Sequence, residues 1–196
     1  MLFRSSAGSF STGTGNDSLT LSGGTITGAV DLGSGSNNLL ISSTNSSIGG
    51  NVYFGAGTSD TLSYAGYGSA VSLTLDAIGS NAGSTGSGGA TAISGTVSGF
   101  ETLVGSSNND SLVASTADNT LILTGANQGT IDGLSFSSFE SVDLAAGNDT
   151  VQFTAGDSLA GTLAGGSGSD SLDYSNYGSA VSVNRSEEHT SELQSH

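Results

Sequence analysis

The hydrophobic positions of this chain fall into short alternating runs, separated by stretches rich in Gly, Ser, Thr, Asn and Asp. Alternation of apolar and polar residues is typical of β-strands that bury one face. Neither a convincing amphipathic helix nor an apolar run near the roughly 18 residues of a membrane span is present in residues 6–184. Five runs predict strands: Leu19–Leu21, Leu39–Ile41, Val71–Leu75, Leu121–Leu123 and Val151–Phe153.

A four-residue unit recurs along the chain: Asn or Ser, then Asp, then Ser or Thr, then an aliphatic residue. Its copies are NDSL (16–19), SDTL (59–62), NDSL (109–112), NDTV (148–151) and SDSL (169–172), with the related NNLL (37–40) and DNTL (118–121). We take Asp17, Asn38 and Asp60 as equivalent positions, and their separation of about twenty residues suits one turn of a β-solenoid.

In such a fold the aliphatic residue two positions after the Asp points inward, and stacked turns bury a core that no single turn could bury alone. Gly and Asn supply the left-handed backbone conformations that the corners need. The pattern therefore predicts an all-β fold, a parallel β-solenoid of the β-roll or β-helix kind built from degenerate Gly/Asp-rich repeats. The residues expected to be buried include Leu62, Val71, Leu73, Leu112, Val151 and Leu172.

Two longer repeats support a modular array. Residues 55–74 match residues 165–184 without a gap and share the run YGSAVS, and residues 100–113 match residues 139–152, each copy beginning with Phe-Glu. We expect Phe100 and Phe139 to belong to the core. The tyrosines Tyr64, Tyr67, Tyr174 and Tyr177 are either corner packing residues or a surface on which sugars stack.

The charge distribution excludes several classes of function. The formal net charge is −15, and residues 6–184 contain no Lys, Arg, His or Cys. An acidic chain without cations repels nucleic acid and anionic membranes. It also lacks the usual general bases, oxyanion clamps and activated nucleophiles, so we expect no enzymatic activity. Carboxylate-only glycoside hydrolysis is the one catalytic alternative that the composition leaves.

The two ends differ from the middle of the chain. The tail RSEEHTSELQSH (185–196) resembles a translated frame of a sequencing adapter, and the head MLFRS (1–5) resembles a frame of its partner. We therefore expect residues 1–5 and 185–196 to be artefactual, with the tail unstructured or helical and packed on nothing. The repeat fragment is then residues 6–184. A fragment cut within an array should expose unpaired strand edges at both ends.

GGSGSDSLD (165–173) fits the nonapeptide G-G-x-G-x-D-x-U-x in full, and TGTGNDSLT (12–20) fits it at all but its first position. These segments resemble the repeats of RTX, or haemolysin-type, calcium-binding proteins, and the flanking segments resemble the spacers of large secreted RTX adhesins. The resemblance implies calcium ions held by corner carbonyls and carboxylates. The implied metal ligands are Asp17, Asp60, Asp110, Asp149 and Asp170, with Gly15, Gly165, Gly166 and Gly168.

The sequence departs from the RTX pattern in one respect: its nonapeptides do not occur in tandem. The match at 165–173 is followed by Tyr174-Ser175, and the one nine-residue step, Asp110 to Asn119, ends on an amide. The alternative for all these Asp and Asn residues is turn chemistry, in which the side chain bonds the nearby backbone and no ion is needed.

The expected function is a non-enzymatic structural or adhesive module of a secreted or cell-surface bacterial protein, stabilised by calcium. Its expected partners are calcium ions, neighbouring repeats of the parent protein and surface glycans or host-surface ligands, with no nucleic acid and no membrane insertion. The alternative is an ion-independent β-helix passenger of an autotransporter or filamentous adhesin. Stabilisation by calcium and not by magnesium would separate the two.

Overall fold

The computed structural model describes residues 2–3, 8–57, 59–79, 83–86 and 90–182, with the backbone alone at 2–3, 77–79 and 83–86. Across these residues all regular secondary structure is β-strand, and no helix is present that could span a membrane. The predicted all-β fold is confirmed. The strands are β1 Leu2–Phe3, β2 Phe10–Ser11, β3 Ser18–Leu21, β4 Gly24–Ile26, β5 Val30–Asp31, β6 Asn38–Ile41, β7 Ser46–Ile48, β8 Val52–Tyr53, β9 Thr61–Ser63, β10 Ser72–Thr74, β11 Ala77–Gly79, β12 Gly83–Gly86, β13 Val97–Phe100, β14 Thr102–Val104, β15 Ser111–Val113, β16 Thr120–Gly125, β17 Gln128–Ile131, β18 Leu134–Ser137, β19 Ser141–Asp143, β20 Thr150–Gln152, β21 Leu163–Ala164 and β22 Ser171–Asp173.

These strands form four sheets in which most neighbours are parallel. The largest has ten strands in the order β1-β3-β6-β9-β14-β18-β17-β16-β20-β22. The others are a four-stranded sheet β10-β15-β19-β21, a six-stranded sheet β11-β12-β13-β8-β5-β2 and the pair β4-β7. All five predicted apolar runs contain strands, namely β3, β6, β10, β16 and β20.

The aliphatic residues of the repeat units lie opposite one another in the parallel strands. In the ten-stranded sheet Leu19 pairs with Leu39, Leu39 with Leu62, and Leu62 with Leu103. All four side chains are fully buried. Because side chains alternate between the faces of a strand, this register places every such aliphatic residue on the inner face. The result is a continuous hydrophobic column along the strand order.

Within the ten-stranded sheet the parallel order is interrupted by the antiparallel strands β16, β17 and β18. In the six-stranded sheet the described strands β11, β12 and β13 also pair antiparallel. The turn between β17 and β18 contains Asp132 and Gly133, which have φ values of 47° and 97°. Positive φ at both central residues is the hallmark of the tight hairpin turn that Asp-Gly favours. This meander lies between β14 and β20, so it links two parallel parts of the same sheet.

The burial predictions are confirmed at five of the six named positions. Leu62, Val71, Leu73, Leu112 and Val151 are at most 2% exposed. The prediction for Leu172 is wrong, because 52% of its side chain is exposed. Leu172 lies on β22, the last strand in the order of the ten-stranded sheet, so among the described residues the one strand beside it is β20.

The predicted equivalence of Asn38 with Asp17 and Asp60 is also wrong. The register pairs Ser18 with Asn38, which makes Asn37 the counterpart of Asp17. Asn37 is buried and Asn38 is exposed. In the run NNLL either Asn satisfies the sequence pattern, but a shift of one residue would turn the buried leucine of β6 toward solvent.

The predicted boundaries of the artefactual ends fall mainly on residues for which no structure is described. The tail 185–196 lies outside the described residues. In the head, Leu2 and Phe3 pair in parallel with Thr20 and Leu21 of β3.

Candidate functional site

At the corners before most repeat strands, a side-chain oxygen accepts a hydrogen bond from the backbone of the neighbouring repeat. Asn37 Oδ1 accepts from the N–H of Asp17 at 3.0 Å, and Asp60 Oδ1 accepts from the N–H of Asn37 at 2.6 Å. Each of these N–H groups belongs to the residue just before a strand, Asp17 before β3 and Asn37 before β6. We call this series of contacts the inner ladder.

The inner ladder recurs in the second half of the chain. Asp149 Oδ1 accepts from the N–H of Asn119 at 2.7 Å, and Asp170 Oδ1 accepts from the N–H of Asp149 at 3.1 Å. The acceptors Asp60 and Asp149 are at most 1% exposed, as is Asn119. A buried hydrogen bond of this kind contributes about 1 kcal/mol, and more when the acceptor is charged.

Two glutamates take the place of Asp or Asn where a repeat begins with Phe-Glu. Glu101 Oε2 accepts from the N–H of Asp60 at 2.8 Å, and Glu140 Oε2 accepts from the N–H of Asp110 at 2.8 Å. The longer side chain reaches the same backbone donor from the corresponding place before β14 and β19. The Phe-Glu repeats of the sequence therefore have a structural role that the sequence patterns alone did not predict.

A second ladder, which we call the outer ladder, runs through the residue just before each inner-ladder position. Asn16 Oδ1 accepts from the N–H of Ser36 at 2.9 Å. Asp118 Oδ1 accepts from the N–H of Asn148 at 2.7 Å, and Asn148 Oδ1 from the N–H of Ser169 at 3.0 Å. In the outer ladder the backbone N–H that donates belongs to the repeat after the one that supplies the acceptor side chain. In the inner ladder it belongs to the repeat before it. Two adjacent side chains, such as those of an Asn-Asp pair, thus link one corner to the corners of both the preceding and the following repeat.

Asn and Asp differ in how they use their second side-chain atom at the inner ladder. Asn37 Nδ2 donates to the Phe54 carbonyl at 3.0 Å and lies 3.4 Å from the carbonyls of Gly33 and Gly35. The amide therefore satisfies a small group of inward-facing carbonyl oxygens. A carboxylate cannot donate in this way.

Where the inner ladder has Asp instead of Asn, the second carboxylate oxygens of three residues are buried and have no hydrogen-bond partner among the described residues. They are the Oδ2 atoms of Asp17, Asp60 and Asp149. Leaving a buried charged acceptor unpaired costs free energy, and the cost falls if the group is protonated or meets a cation. The inner ladder thus contains three places where positive charge would be stabilising.

Burial and neighbouring charge raise the pKa of Asp60. Removal from water is the main cause, the hydrogen bond from the Asn37 N–H acts in the opposite direction, and the carboxylate of Glu101 raises the pKa further. The pKa of Asp132 is also raised, mainly by burial and partly by the charge of Asp149, against a lowering by the Thr120 N–H.

Asp110 differs from the other inner-ladder carboxylates because both of its oxygens have partners. Its Oδ1 accepts from the Val71 N–H at 2.7 Å and from the Ser106 hydroxyl at 2.9 Å. Its Oδ2 accepts from the Ser106 N–H. This carboxylate is the least suited of the five predicted metal ligands to hold an ion.

The predicted glycine ligands are corner residues, and a Cβ would meet close neighbours at Gly165, Gly166 and Gly168 but none at Gly15. Gly15, Gly166 and Gly168 have φ values of 117°, 87° and 135°, which residues with a side chain rarely adopt. At Gly168 a Cβ would also overlap the carbonyl of Gly147 in the preceding repeat. At Gly165 it would overlap the carboxylate of Asp170. These glycines allow the corners to stack closely.

The structure brings some of the predicted metal ligands together and separates others. Asp149 and Asp170 are neighbours in the inner ladder, whereas Asn37 lies between Asp17 and Asp60. Among the described residues, no three Asp, Glu, His or Cys side chains form a group that could hold a metal ion. A calcium ion here would depend on one or two carboxylates and on backbone carbonyls.

The aromatic residues of the two long repeats have different surroundings. Tyr64 and Tyr67 are buried, with rings 5.8 Å apart and nearly perpendicular, and the Tyr64 hydroxyl donates to the Thr91 carbonyl at 2.8 Å. Burial raises the pKa of Tyr64 above its usual value. This pair packs in the core and presents no surface to a sugar.

The second pair lies nearer to solvent. Tyr174 stacks on Phe153 with ring centroids 4.8 Å apart, and Tyr177 meets Tyr174 edge-on at 5.7 Å. All three side chains are half-buried.

The predicted core residues Phe100 and Phe139 are fully buried, so that prediction is confirmed.

Sequence reasoning missed five residues of the ladders: Asn16, Asp118, Asn148, Glu101 and Glu140. A signal was present for four of them, Asp118 being the exception. The residue before the repeat Asp is always Asn or Ser, and the two Phe-Glu pairs recur at the same distance before an Asp. Both regularities suit a hydrogen-bonding role, because Asn and Glu offer an acceptor where an aliphatic residue does not.

Comparison of the chain with protein-family models, with curated proteins and with solved structures gave no match. The class that the geometry defines is an all-β protein with mainly parallel sheets.

Proposed function

We propose that the described repeats form a β-solenoid that serves as a non-enzymatic structural spacer in a larger secreted or surface-displayed bacterial protein. The observation that carries the proposal is the in-register column Leu19, Leu39, Leu62 and Leu103. Parallel strands about twenty residues apart, or about forty between Leu62 and Leu103, each with its leucine over the last, suit successive coils of one winding chain. The hydrogen-bonded corners add stiffness, which suits a spacer.

The absence of basic and thiol groups from residues 6–184 supports a structural role rather than catalysis. The carboxylates that remain accept backbone N–H groups in the two ladders, as Asp60 and Asp149 do. Groups held in this way serve the stacking of repeats.

Deletion of one whole coil tests this proposal. Removing residues 38–60 would place Thr61 directly after Asn37, at the position of its register partner Asn38. If each coil is an interchangeable unit, the shortened protein should keep its β-sheet circular dichroism and unfold cooperatively. The control removes only residues 38–49, about half a coil, and should unfold the neighbouring repeats. A whole-coil deletion as disruptive as the half-coil deletion would contradict the proposal.

A second candidate function, calcium-dependent stiffening, is favoured by the unpartnered Oδ2 atoms of Asp17, Asp60 and Asp149. At the equivalent Asn37 an amide donates to corner carbonyls, so a cation could satisfy carbonyls and carboxylate together where Asp replaces Asn. Calcium takes six to eight oxygen ligands, including carbonyls, whereas magnesium requires a stricter octahedral arrangement.

The test is thermal unfolding in millimolar calcium or magnesium, followed by circular dichroism. The calcium proposal expects stabilisation by calcium alone, and loss of that stabilisation in the double variant Asp60→Asn, Asp149→Asn. Asp110→Asn is the matched control, because both oxygens of Asp110 already have partners. Equal effects of the two ions, or none, would favour the ion-independent passenger instead.

A further inference from the structure

The outer edge of β22 is the end of the ten-stranded sheet, and its inward-facing leucine is not covered. Leu172 is 52% exposed and Asp170 is exposed at the corner before it. Among the described residues, β20 is the one strand that pairs with β22. An unpaired strand edge beside an exposed aliphatic side chain is a template for the addition of another strand.

The first long repeat shows what covers the equivalent strand. In β9 Leu62 pairs with Leu103 of β14 and is fully buried. The Glu101 carboxylate, one residue before β14, accepts from the Asp60 N–H at 2.8 Å. The covering segment therefore reads Phe-Glu-Thr-Leu-Val (100–104).

A second pair in the chain repeats this arrangement. In β15 Leu112 pairs with Val142 of β19 and is fully buried. The Glu140 carboxylate accepts from the Asp110 N–H, again at 2.8 Å. The covering segment is Phe-Glu-Ser-Val-Asp (139–143). Two independent copies thus use the same recognition: a glutamate on the corner N–H, followed by a parallel strand with an aliphatic residue over the leucine.

We propose that the outer edge of β22 is a binding site for a parallel β-strand that begins with Phe-Glu and continues with Ser or Thr and then an aliphatic residue. The glutamate would accept from the Asp170 N–H, and the aliphatic residue would lie over Leu172. This interaction surface goes beyond the spacer function, which would stand even if no such strand bound.

The long repeat is the reason to expect a Phe-Glu strand rather than another Asp-containing strand. Strands of the Asp or Asn type also cover repeats elsewhere, as β22 itself covers β20. However, β22 lies in the second copy of the long repeat, where residues 165–182 correspond to residues 55–72 of the first copy. In that first copy the equivalent strand, β9, is covered by the strand that follows Phe-Glu. The packing around the phenylalanine of the added strand should be smaller at the new site. In the first copy the ring of Phe54 lies 6.1 Å from that of Phe100, whereas the position equivalent to Phe54 in the second copy is Ala164.

The experiment titrates the ¹⁵N-labelled full chain with a synthetic peptide of residues 98–106, SGFETLVGS, and follows amide shifts by NMR. The proposal expects saturable shifts concentrated at 170–173, with little change at 110–113, where the site is already filled. Replacing the peptide glutamate with glutamine, or its leucine with lysine, should weaken binding about tenfold, the effect of losing roughly 1.4 kcal/mol.

The protein variant Leu172→Lys should abolish these shifts, and because Leu172 is largely exposed, the variant should fold normally. Tyr53→Lys, at a side chain 41% exposed in the six-stranded sheet, is the matched control and should bind the peptide as the parent does. The proposal is overturned if millimolar peptide causes no shifts at 170–173. It is equally overturned if the peptide SNNLLIS (36–42) binds as well as the Phe-Glu peptide.

Discussion

Residues 55–74 and 165–184 are two copies of one repeat, identical at 11 of 20 positions, and the second copy is described as far as residue 182. In the first copy Asp60, Leu62 and Tyr64 are completely buried. In the second copy Asp170 is exposed, Leu172 is 52% exposed and Tyr174 is half-buried. The difference lies in the neighbours, because β9 has strands on both sides and β22 has β20 on one.

The comparison teaches that a repeat of this kind specifies its strand but not its burial. Each strand presents a leucine and a corner N–H, and the next repeat must supply the atoms that cover them. The stability that one sequence contributes therefore depends on its position in the stack. The copies form a natural pair for experiments, since the same substitution can be made at an interior and at a terminal position.

The largest difference should come from truncating the two leucines. Leu62→Ala removes a fully buried side chain and should lower the free energy of unfolding by about 2–5 kcal/mol. Leu172→Ala should change it by no more than about 0.5 kcal/mol, because much of that side chain already meets water. Urea denaturation followed by circular dichroism measures both. Equal losses at the two sites would mean that the terminal strand is covered in solution.

The next difference should appear at the two tyrosines. Tyr64→Phe removes a buried hydroxyl that donates to the Thr91 carbonyl, so it should cost about 1 kcal/mol. Tyr174→Phe keeps the stacking on Phe153 and should be close to neutral. Thermal denaturation of the two variants and the parent gives the comparison. A loss at Tyr174 as large as that at Tyr64 would show that the second tyrosine is also bonded.

An effect of similar size but opposite sign is expected at the two aspartates. Asp60→Asn should raise the free energy of unfolding at neutral pH by about 1 kcal/mol, because an amide can donate where the Oδ2 atom has no partner. The precedent is Asn37, whose amide donates to the Phe54 carbonyl. Asp170→Asn, at an exposed residue, should have almost no effect. Destabilisation by Asp60→Asn in calcium-free buffer would show that the charge itself is needed.

The pH dependence of the free energy of unfolding gives a further test of the role of Asp60. Since the pKa of Asp60 is raised in the folded state, the folded protein binds this proton more tightly than the unfolded chain does. Its contribution to stability should therefore grow as the pH falls from 7 through the raised pKa. It is complete below the ordinary value of 3.8.

Asp132 acts in the same direction. Melting temperatures measured from pH 7 to pH 4 should rise in the parent and rise less in Asp60→Asn. The Asp170→Asn variant should follow the parent. A parent protein that loses stability over this range would contradict the assignment of Asp60.

Much of the strand pattern could be predicted from local sequence. The alternation at Leu19–Leu21 and Leu121–Leu123 marks strands because successive side chains of a strand point to opposite faces, so that every second one is buried. The antiparallel meander was not predicted, although Asp132-Gly133 carries the dipeptide signal of a tight hairpin. The repeat periodicity suggested parallel stacking throughout, and the pairings of β16, β17 and β18 and of β11, β12 and β13 reveal two local exceptions.

The candidate site was predicted in part of its residues but not in its contacts. The repeated Asp positions were recognised as corner residues, yet their bonds run to the backbone of another repeat rather than to residues two positions away. Such contacts join residues about twenty to forty positions apart, as in Asp60 to Asn37 and Glu101 to Asp60. Sequence spacing can suggest these partners, but register decides between Asn37 and Asn38.

The sequence by itself determined the all-β class, the identity of the corner and core residues and the lack of basic groups across residues 6–184. These properties follow from local alternation and composition, which each segment carries wherever it lies. Only the tertiary structure decided which leucines are buried, which carboxylate oxygens remain unpartnered and which glutamates complete a corner. Those outcomes depend on atoms supplied by a neighbouring strand, and the two copies of the long repeat differ in them because their neighbours differ.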